Sequence, residues 1–441
     1  MRLELGEPRL ASVEHPERAL ALIVGRTMDA HTALAEAPAW ERRLYALTLA
    51  DTGHEVEEAI GWYEELAAHS LAPEVDLRLA ILLGESGRRE RVANAVQAWR
   101  ARGEPLATYA GPVEAAYLGA GRVDRAALAD TLAPLGPSWF ADAVALRLAA
   151  EEPPLAEQAR QSMAARAGPL RWRLRALALL DLLLLVLGGL VLRRLWRRFG
   201  GWRPAVADAP LPPPWTMGAG LAALVRGGAL GALVLLVLLI GHRWVAEQPL
   251  LAEALDQPLM YVPMLLVVAR SLLAPAGLGF TAAFGLRPRP DGRRACLEGT
   301  LVLVAAGIVT DIALGVLSER LGLASHWSEW FDAELAWGGP AGVAVTVLGA
   351  VLFAPVFEEL IFRGLLYGSL RARFNWPVAA VASALVFGLA HGYGPAGFAS
   401  VLASGLLWAY LYERTGSLLP GMIAHVVNNA AVAVTLVALL R

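Results

Sequence analysis

The chain has 441 residues, of which 56% are hydrophobic and 18% charged, and a formal net charge of −2. That composition is too apolar for a soluble protein of this length and implies several bilayer spans. The charge balance lacks the basic face that a nucleic-acid partner would need. The single Cys296 excludes an intrachain disulfide and a cysteine-rich metal site, and the absence of lysine removes Schiff-base and Ser–Lys chemistry.

Residues 1–160 read as a soluble helical-repeat domain. Acidic residues outnumber arginines there, and Met1–Leu20 is interrupted by Glu4, Glu7, Pro8, Glu14, Pro16 and Glu17, so no apolar core of a secretory signal opens the chain. Leu47–Gly53, Ile81–Gly87 and Ala115–Gly121 are similar segments whose terminal glycines stand 34 residues apart, and Ala59, Ala93 and Ala127 keep that spacing. Each unit predicts an apolar helix ended by a glycine in the left-handed conformation. A second amphipathic helix follows, such as Glu57–Ala68 with Trp62 and Leu66 on one side. Paired helices at this period resemble tetratricopeptide repeats, although the aromatic and proline positions of that family are not all present. The resemblance implies a protein partner for this domain.

Residues 161–294 read as a basic linker with accessory transmembrane helices, and 295–441 as the core of the membrane part. Arg160, Arg166, Arg171, Arg173 and Arg175 prepare the entry. About eight apolar segments follow, at roughly 176–192, 217–241, 258–283, 299–317, 341–366, 377–392, 397–412 and 420–439. Unbroken apolar runs predict an all-α polytopic helical bundle rather than a β-barrel. Arg226, Arg270 and Asp311 are isolated charges within these runs and read as snorkelling or bridging groups. Arginine-rich loops (Arg193, Arg194, Arg197, Arg198 and Arg203; Arg287, Arg289, Arg293 and Arg294; Arg371 and Arg373) alternate with acidic ones (Glu247, Glu253 and Asp256; Glu319, Glu329, Asp332 and Glu334). The alternation favours a cytoplasmic side for the former and leaves the side of the N-terminal domain open. The expected location is a bacterial inner membrane, with the lipid bilayer as the first partner.

Charge is costly inside a span, by about 2.5–3.5 kcal/mol or more for an ionised group at the centre. Residues 341–441 nevertheless hold Glu358, Glu359, Arg363, His391, His425 and Asn429 within apparent spans. Glu359 and Arg363 are i and i+4, in the favourable order for an ion pair, which leaves Glu358 as the unpaired acid or base. Pro355 just before them is placed to kink the helix. Phe387 and His391, and His425 and Asn429, are two further i, i+4 pairs. Three helices thus each offer a polar patch that can converge in one wet cavity. A carboxylate and an imidazole can orient and deprotonate water, and a His and an Asn can donate to an oxyanion. No Ser or Cys triad and no His-Glu-x-x-His signature is present. No cofactor is expected; a zinc site of His391, His425 and Glu358 is the alternative. A non-catalytic membrane adaptor, with a merely structural polar cluster, is the alternative from another class.

The segments Glu358-Glu359-Leu-Ile-Phe-Arg363, Phe387-Gly-Leu-Ala-His391 and His425-Val-Val-Asn-Asn429 match the ordered motifs Glu-Glu-x-x-x-Arg, Phe-x-x-x-His and His-x-x-x-Asn. In this order on successive apolar helices they resemble the CPBP family of CAAX proteases and bacteriocin-processing enzymes, over roughly 295–441. The resemblance implies a glutamate-type intramembrane endopeptidase acting on a membrane-associated protein or peptide. It implies that Glu358 and His391 activate water, that His425 and Asn429 stabilise the oxyanion, and that Glu359, Arg363 and Phe387 support them.

Overall fold

A computed structural model describes residues 10, 13–35, 37–48, 55–120, 123–199, 205–240, 249–323 and 325–441. Gly53, Gly121, Arg203, Glu247 and most of Met1–Leu20 lie outside the described residues. Every regular element among the described residues is helical. The chain divides into two compact units, Met1–Ala178 with Ala438–Arg441, and Leu179–Val437.

The first unit holds α1 (Pro16–Ala35), α2 (Ala39–Thr48), α3 (Glu55–His69), α4 (Pro73–Glu85), α5 (Arg89–Arg102), α6 (Leu106–Leu118), α7 (Arg125–Leu132) and α8 (Trp139–Arg147). It also contains the start of the long α9 (Pro153–Phe199). Local chemistry fixes several boundaries. Pro73 opens α4 with Glu74 and Asp76 in its first turn, where the helix dipole favours acid. Gly87 closes it at φ +76°, its N–H donating to Gly84 O while Arg88 N–H donates to Leu83 O. The third expected unit ends earlier than the pattern implied: α6 is capped by Gly119, at φ +70°. Asp124 then caps α7 through Ala126 N–H. Ala59, Ile60, Tyr63 and Leu66 form the buried side of α3, and Tyr63 meets Phe140 edge-on at 6.0 Å. Buried ion pairs fasten α9 into this unit. Arg166 binds Asp29 of α1 at 2.9 Å and Asp142 of α8 at 2.6 Å, and Arg175 binds Glu41 of α2 at 2.5 Å.

The second unit continues α9 and adds α10 (Met217–Ile240), α11 (Pro249–Val268), the short α12 (Phe280–Ala283) and α13 (Gly292–Leu321). Then come the short α14 (Ala333–Trp337), α15 (Pro340–Arg371), α16 (Trp376–His391), α17 (Pro395–Thr415) and α18 (Leu419–Leu440). Among the described residues six helices are long and apolar enough to cross a membrane: parts of α9, α10 and α13, and α15, α17 and α18. The chain is therefore an integral membrane protein. Two of the eight expected spans are shorter apolar helices, Gln257–Leu273 and Trp376–His391. The segment expected at 258–283 is not one helix. Its π-helical end, Ala269–Leu273, stops the run, and Gly277 turns the chain at φ +66° before α12. The apolar count there spanned a turn that hydrophobicity alone cannot register. The isolated Asp311 accepts a hydrogen bond from Ser400 of α17 at 2.6 Å, as a bridging group does.

The helices that matter for function are α15 to α18. Helices α16 and α17 pack along their length, and α17 also lies against α13. One end of this group is locked by polar contacts. Tyr367 donates to Glu413 at 2.5 Å, Arg371 binds the same carboxylate at 2.8 and 2.9 Å, and Trp215 Nε1 donates to Ser369 at 3.1 Å. The segment before α10 runs across the end of α17, with Val206 and Ala207 donating to Thr415 O and Ala209 to Gly416 O. These bonds set the axial position of α15 against α17.

Arg166→Ala would leave Asp142 without a countercharge and Asp29 with only Arg26, at 3.9 Å. Removing one member of a buried ion network costs about 3 kcal/mol. Hydrogen exchange on the full-length protein should show faster opening of α1 and α8 in this variant, with α16 and α17 unchanged.

Candidate active site

Helix α15 is not a regular α-helix. Leu348–Phe353 and Glu359–Tyr367 are π-helical, separated by one α-helical stretch, Ala354–Glu358. Pro355 contributes no N–H and its ring crowds the carbonyl four residues back. The wider turn before it accommodates that ring, so the expected kink takes the form of a π-turn. Glu358 and Glu359 sit at the junction with the second π stretch, and as consecutive helical residues, about 100° apart, their carboxylates leave the helix in different directions.

Glu359 is buried, at 1% exposure, beside Arg363 at 0%. Arg363 Nη1 lies 3.0 Å from Glu359 Oε1, the expected pair. The guanidinium N–H groups have no aligned hydrogen-bond partner. Its charge is met instead by that carboxylate and by two ring faces, with its carbon 4.0 Å from the centroid of Phe387 and 5.0 Å from that of Trp408. Glu359 Oε1 also lies 3.3 Å from His425 Nδ1.

Glu358 faces the other way. Its Oε2 has no hydrogen-bond partner, yet it lies 4.0 Å from His391 Nε2 and 3.7 Å from His425 Nε2. His391 is the last residue of α16, before Gly392 in the left-handed conformation. Its Nδ1 lies 2.8 Å from Phe387 O. A carbonyl only accepts, so Nδ1 carries a proton; in the neutral form of the ring, Nε2 then presents its lone pair to Glu358. His425 is held between the two carboxylates and stacks on Trp408 at 4.1 Å between centroids. Phe387 stands edge-on to both imidazoles, at 4.5 Å from His391 and 6.0 Å from His425. Asn429, one turn beyond His425, donates from Nδ2 to Ala350 O at 2.8 Å, in the first π stretch. Six of the seven residues singled out from the sequence are therefore linked in one locale built by α15, α16 and α18, and Asn429 lies one turn beyond it, against Ala350. Exposure is graded across it: the side chains of His391 and Glu358 are 22% and 14% exposed, and that of His425 5%.

Comparison with known proteins addresses this same stretch. Residues 340–431 match the family model described as type II CAAX prenyl endopeptidase Rce1-like. A protein of Bacillus subtilis (strain 168) named "Putative membrane peptidase YdiL" is 30% identical over 95 residues, 21% of this chain. The chain spans 37% of that relative's length. No solved structure matches the chain significantly. This segment is similar to the CPBP family.

Within residues 340–431, three contributors escaped sequence reasoning. Trp408 closes the site behind His425 and Arg363, Ser383 donates to Phe362 O at 2.7 Å between α16 and α15, and Gly405 lets Arg363 reach its place. An indole, a serine and a glycine in an apolar helix carry no periodic or charge signal that separates them from packing. A Cβ at position 405 would stand 2.8 Å from Arg363 Nη2 and 3.0 Å from Ala384 Cβ.

Gly405→Ala should therefore displace the guanidinium from its rings or push α16 from α17. Overpacking of this kind costs about 1–3 kcal/mol. A lowered thermal unfolding temperature in detergent is the expected result, with no such fall for Ala403→Gly in the same helix beyond its small propensity cost.

Proposed function

We propose that this protein is an intramembrane endopeptidase that hydrolyses a peptide bond of a membrane-associated protein or peptide. The observation that carries the reading is the buried Glu358 Oε2, without a hydrogen-bond partner and facing two imidazole Nε2 atoms. Glu358 Oε2 and His391 Nε2 are both acceptors, 4.0 Å apart. One water donating two hydrogen bonds of about 2.8 Å spans a gap of that order. Held in this way, the water turns an oxygen lone pair outward. Glu358 takes its proton as the oxygen attacks the scissile carbonyl, while His391 keeps the water in line. The proton then passes from Glu358 to the leaving amine.

The developing oxyanion needs donors. The protonated form of His425 donates at Nδ1 to Glu359 and has Nε2–H left for the oxyanion. Asn429 uses one amide hydrogen on Ala350 O and has a second. Glu359 and Arg363 act as positioning residues, fixing the tautomer and tilt of His425. A zinc site of Glu358, His391 and His425 is the alternative, and chelation distinguishes the two. The separation of Glu358 and His391, one water wide, favours an enzyme over an adaptor. The relative in Bacillus subtilis and the arginine-rich loops support a bacterial cytoplasmic membrane, and the 34-residue period of the first unit supports a tetratricopeptide-like array that receives a protein partner.

Peptides from cells carrying the wild type or Glu358→Gln identify the substrate as the fragment pair found only with the wild type. On that substrate Glu358→Gln and His391→Ala should each lower kcat by about 10²–10⁴-fold, and Asn429→Ala by about 10²–10³-fold, with unfolding temperatures close to wild type. Undiminished cleavage by both of the first two variants would overturn the reading. Cleavage by the wild type should persist after exhaustive chelation; loss that zinc restores would move the same residues to a metal site.

A further inference from the structure

The last turns of α9 carry Arg193, Arg194, Arg197 and Arg198 directly after an apolar run. They do not all face alike. Arg194 is turned to α13, where it and Arg294 share the buried carboxylate of Glu298. Arg193 and Arg197 are exposed, and among the described residues neither has an acidic partner. Positions 186, 190, 193 and 197 fall within about 60° of one another on a helix of 3.6 residues per turn. Val186 and Leu190 on that stripe are exposed, at 50% and 55%, as lipid-facing side chains are. One line down α9 therefore runs from apolar side chains to two guanidiniums. A shallow surface depression of about 390 Å³ lies at the junction, lined by Leu190 and the four arginines. Trp196, 66% exposed, stands at the same level, where indoles mark the membrane–water boundary.

We propose that this stripe is a binding site for one anionic phospholipid, its phosphate between Arg193 and Arg197 and an acyl chain along Val186 and Leu190. The chemistry selects the ligand. Guanidiniums take phosphate oxygens in bidentate fashion, and the carboxylate of Glu298 is already occupied by Arg194 and Arg294. A free phosphate would engage the arginines and leave the apolar half of the stripe unused; a phospholipid engages both. Arg194, held by Glu298, gives the head group a fixed positive neighbour. The site is independent of the proposed peptidase chemistry, because none of its residues belongs to the Glu358 locale.

The test uses the full-length protein in nanodiscs with spin-labelled phosphatidylglycerol or phosphatidylcholine as probe, compared with Arg193→Gln/Arg197→Gln. Each basic residue near an anionic surface contributes roughly fivefold in affinity, so the double variant should bind phosphatidylglycerol about 25-fold more weakly. Phosphatidylcholine binding should be the same in both. Arg226→Gln, an exposed arginine on α10, should leave phosphatidylglycerol binding unchanged. Equal phosphatidylglycerol retention by wild type and double variant would overturn the proposal. So would equal retention of phosphatidylcholine by the wild type, or displacement of the labelled lipid by millimolar glycerol 3-phosphate, which has the head but no chain. Both substitutions lie on an exposed face, and an unchanged elution volume and unfolding temperature confirm that the variant compared is folded.

Discussion

A guanidinium placed in a hydrocarbon environment costs several kcal/mol unless its charge is met within contact distance. Arg363 is wholly buried, and the groups that meet its charge are the groups that build the site: Glu359 one turn before it, the face of Phe387 from α16 and the face of Trp408 from α17. Each partner is thereby fixed, and each holds something else in turn. Glu359 reaches His425, Phe387 stands against both imidazoles, and Trp408 lies flat against His425. Breaking this pair would free more than one salt bridge, because the four helices share it.

Such a centre is only as good as the register of the helices that deliver it. The polar lock at the other end of α15 supplies that register. Tyr367 and Arg371 are on the same helix as Glu359, and Glu413 is on the same helix as Trp408. Rotation or sliding of α15 against α17 would have to break three bonds to one carboxylate. The segment crossing the end of α17, tied to Thr415 and Gly416, adds backbone bonds that do not depend on side-chain identity. This end of α17 is therefore held by both side-chain and backbone hydrogen bonds.

The site was more legible in the sequence than the fold around it. Charged and polar residues in apolar runs are conspicuous because burial penalises them, and i, i+4 spacing puts them on one face. That reasoning located Glu358, Glu359, Arg363, His391, His425 and Asn429 and paired Glu359 with Arg363. It could not foresee the π-helical turns, since hydrogen bonds of the i, i+5 type leave no mark on hydrophobic periodicity. It read 258–283 as one span because Ala274–Gly279 is nearly as apolar as a helix would be. It also missed Trp408, Ser383 and Gly405, whose contributions come from where neighbouring helices cross. In the first unit Gly87 ends a helix as the pattern implied, whereas the pairs of Arg166 with Asp29 and of Arg175 with Glu41 connect residues more than a hundred positions apart and follow no local pattern.

Two carboxylates adjacent in sequence end in opposite conditions, and this separation is what gives the locale chemical direction. Glu359 is enclosed and fully engaged, by a guanidinium and an imidazole. Glu358 keeps an oxygen without a hydrogen-bond partner toward the more open side, where His391 is the most exposed member. A site in which both carboxylates were paired would have no acceptor to spare, and one in which neither was paired would place two like charges side by side in a medium that screens them poorly. Consecutive helical positions stand about 100° apart, so Glu359 turns to Arg363 and His425 while Glu358 turns to His391 and the other side of His425. One short motif thus contains both a structural ion pair and a carboxylate oxygen left without a hydrogen-bond partner.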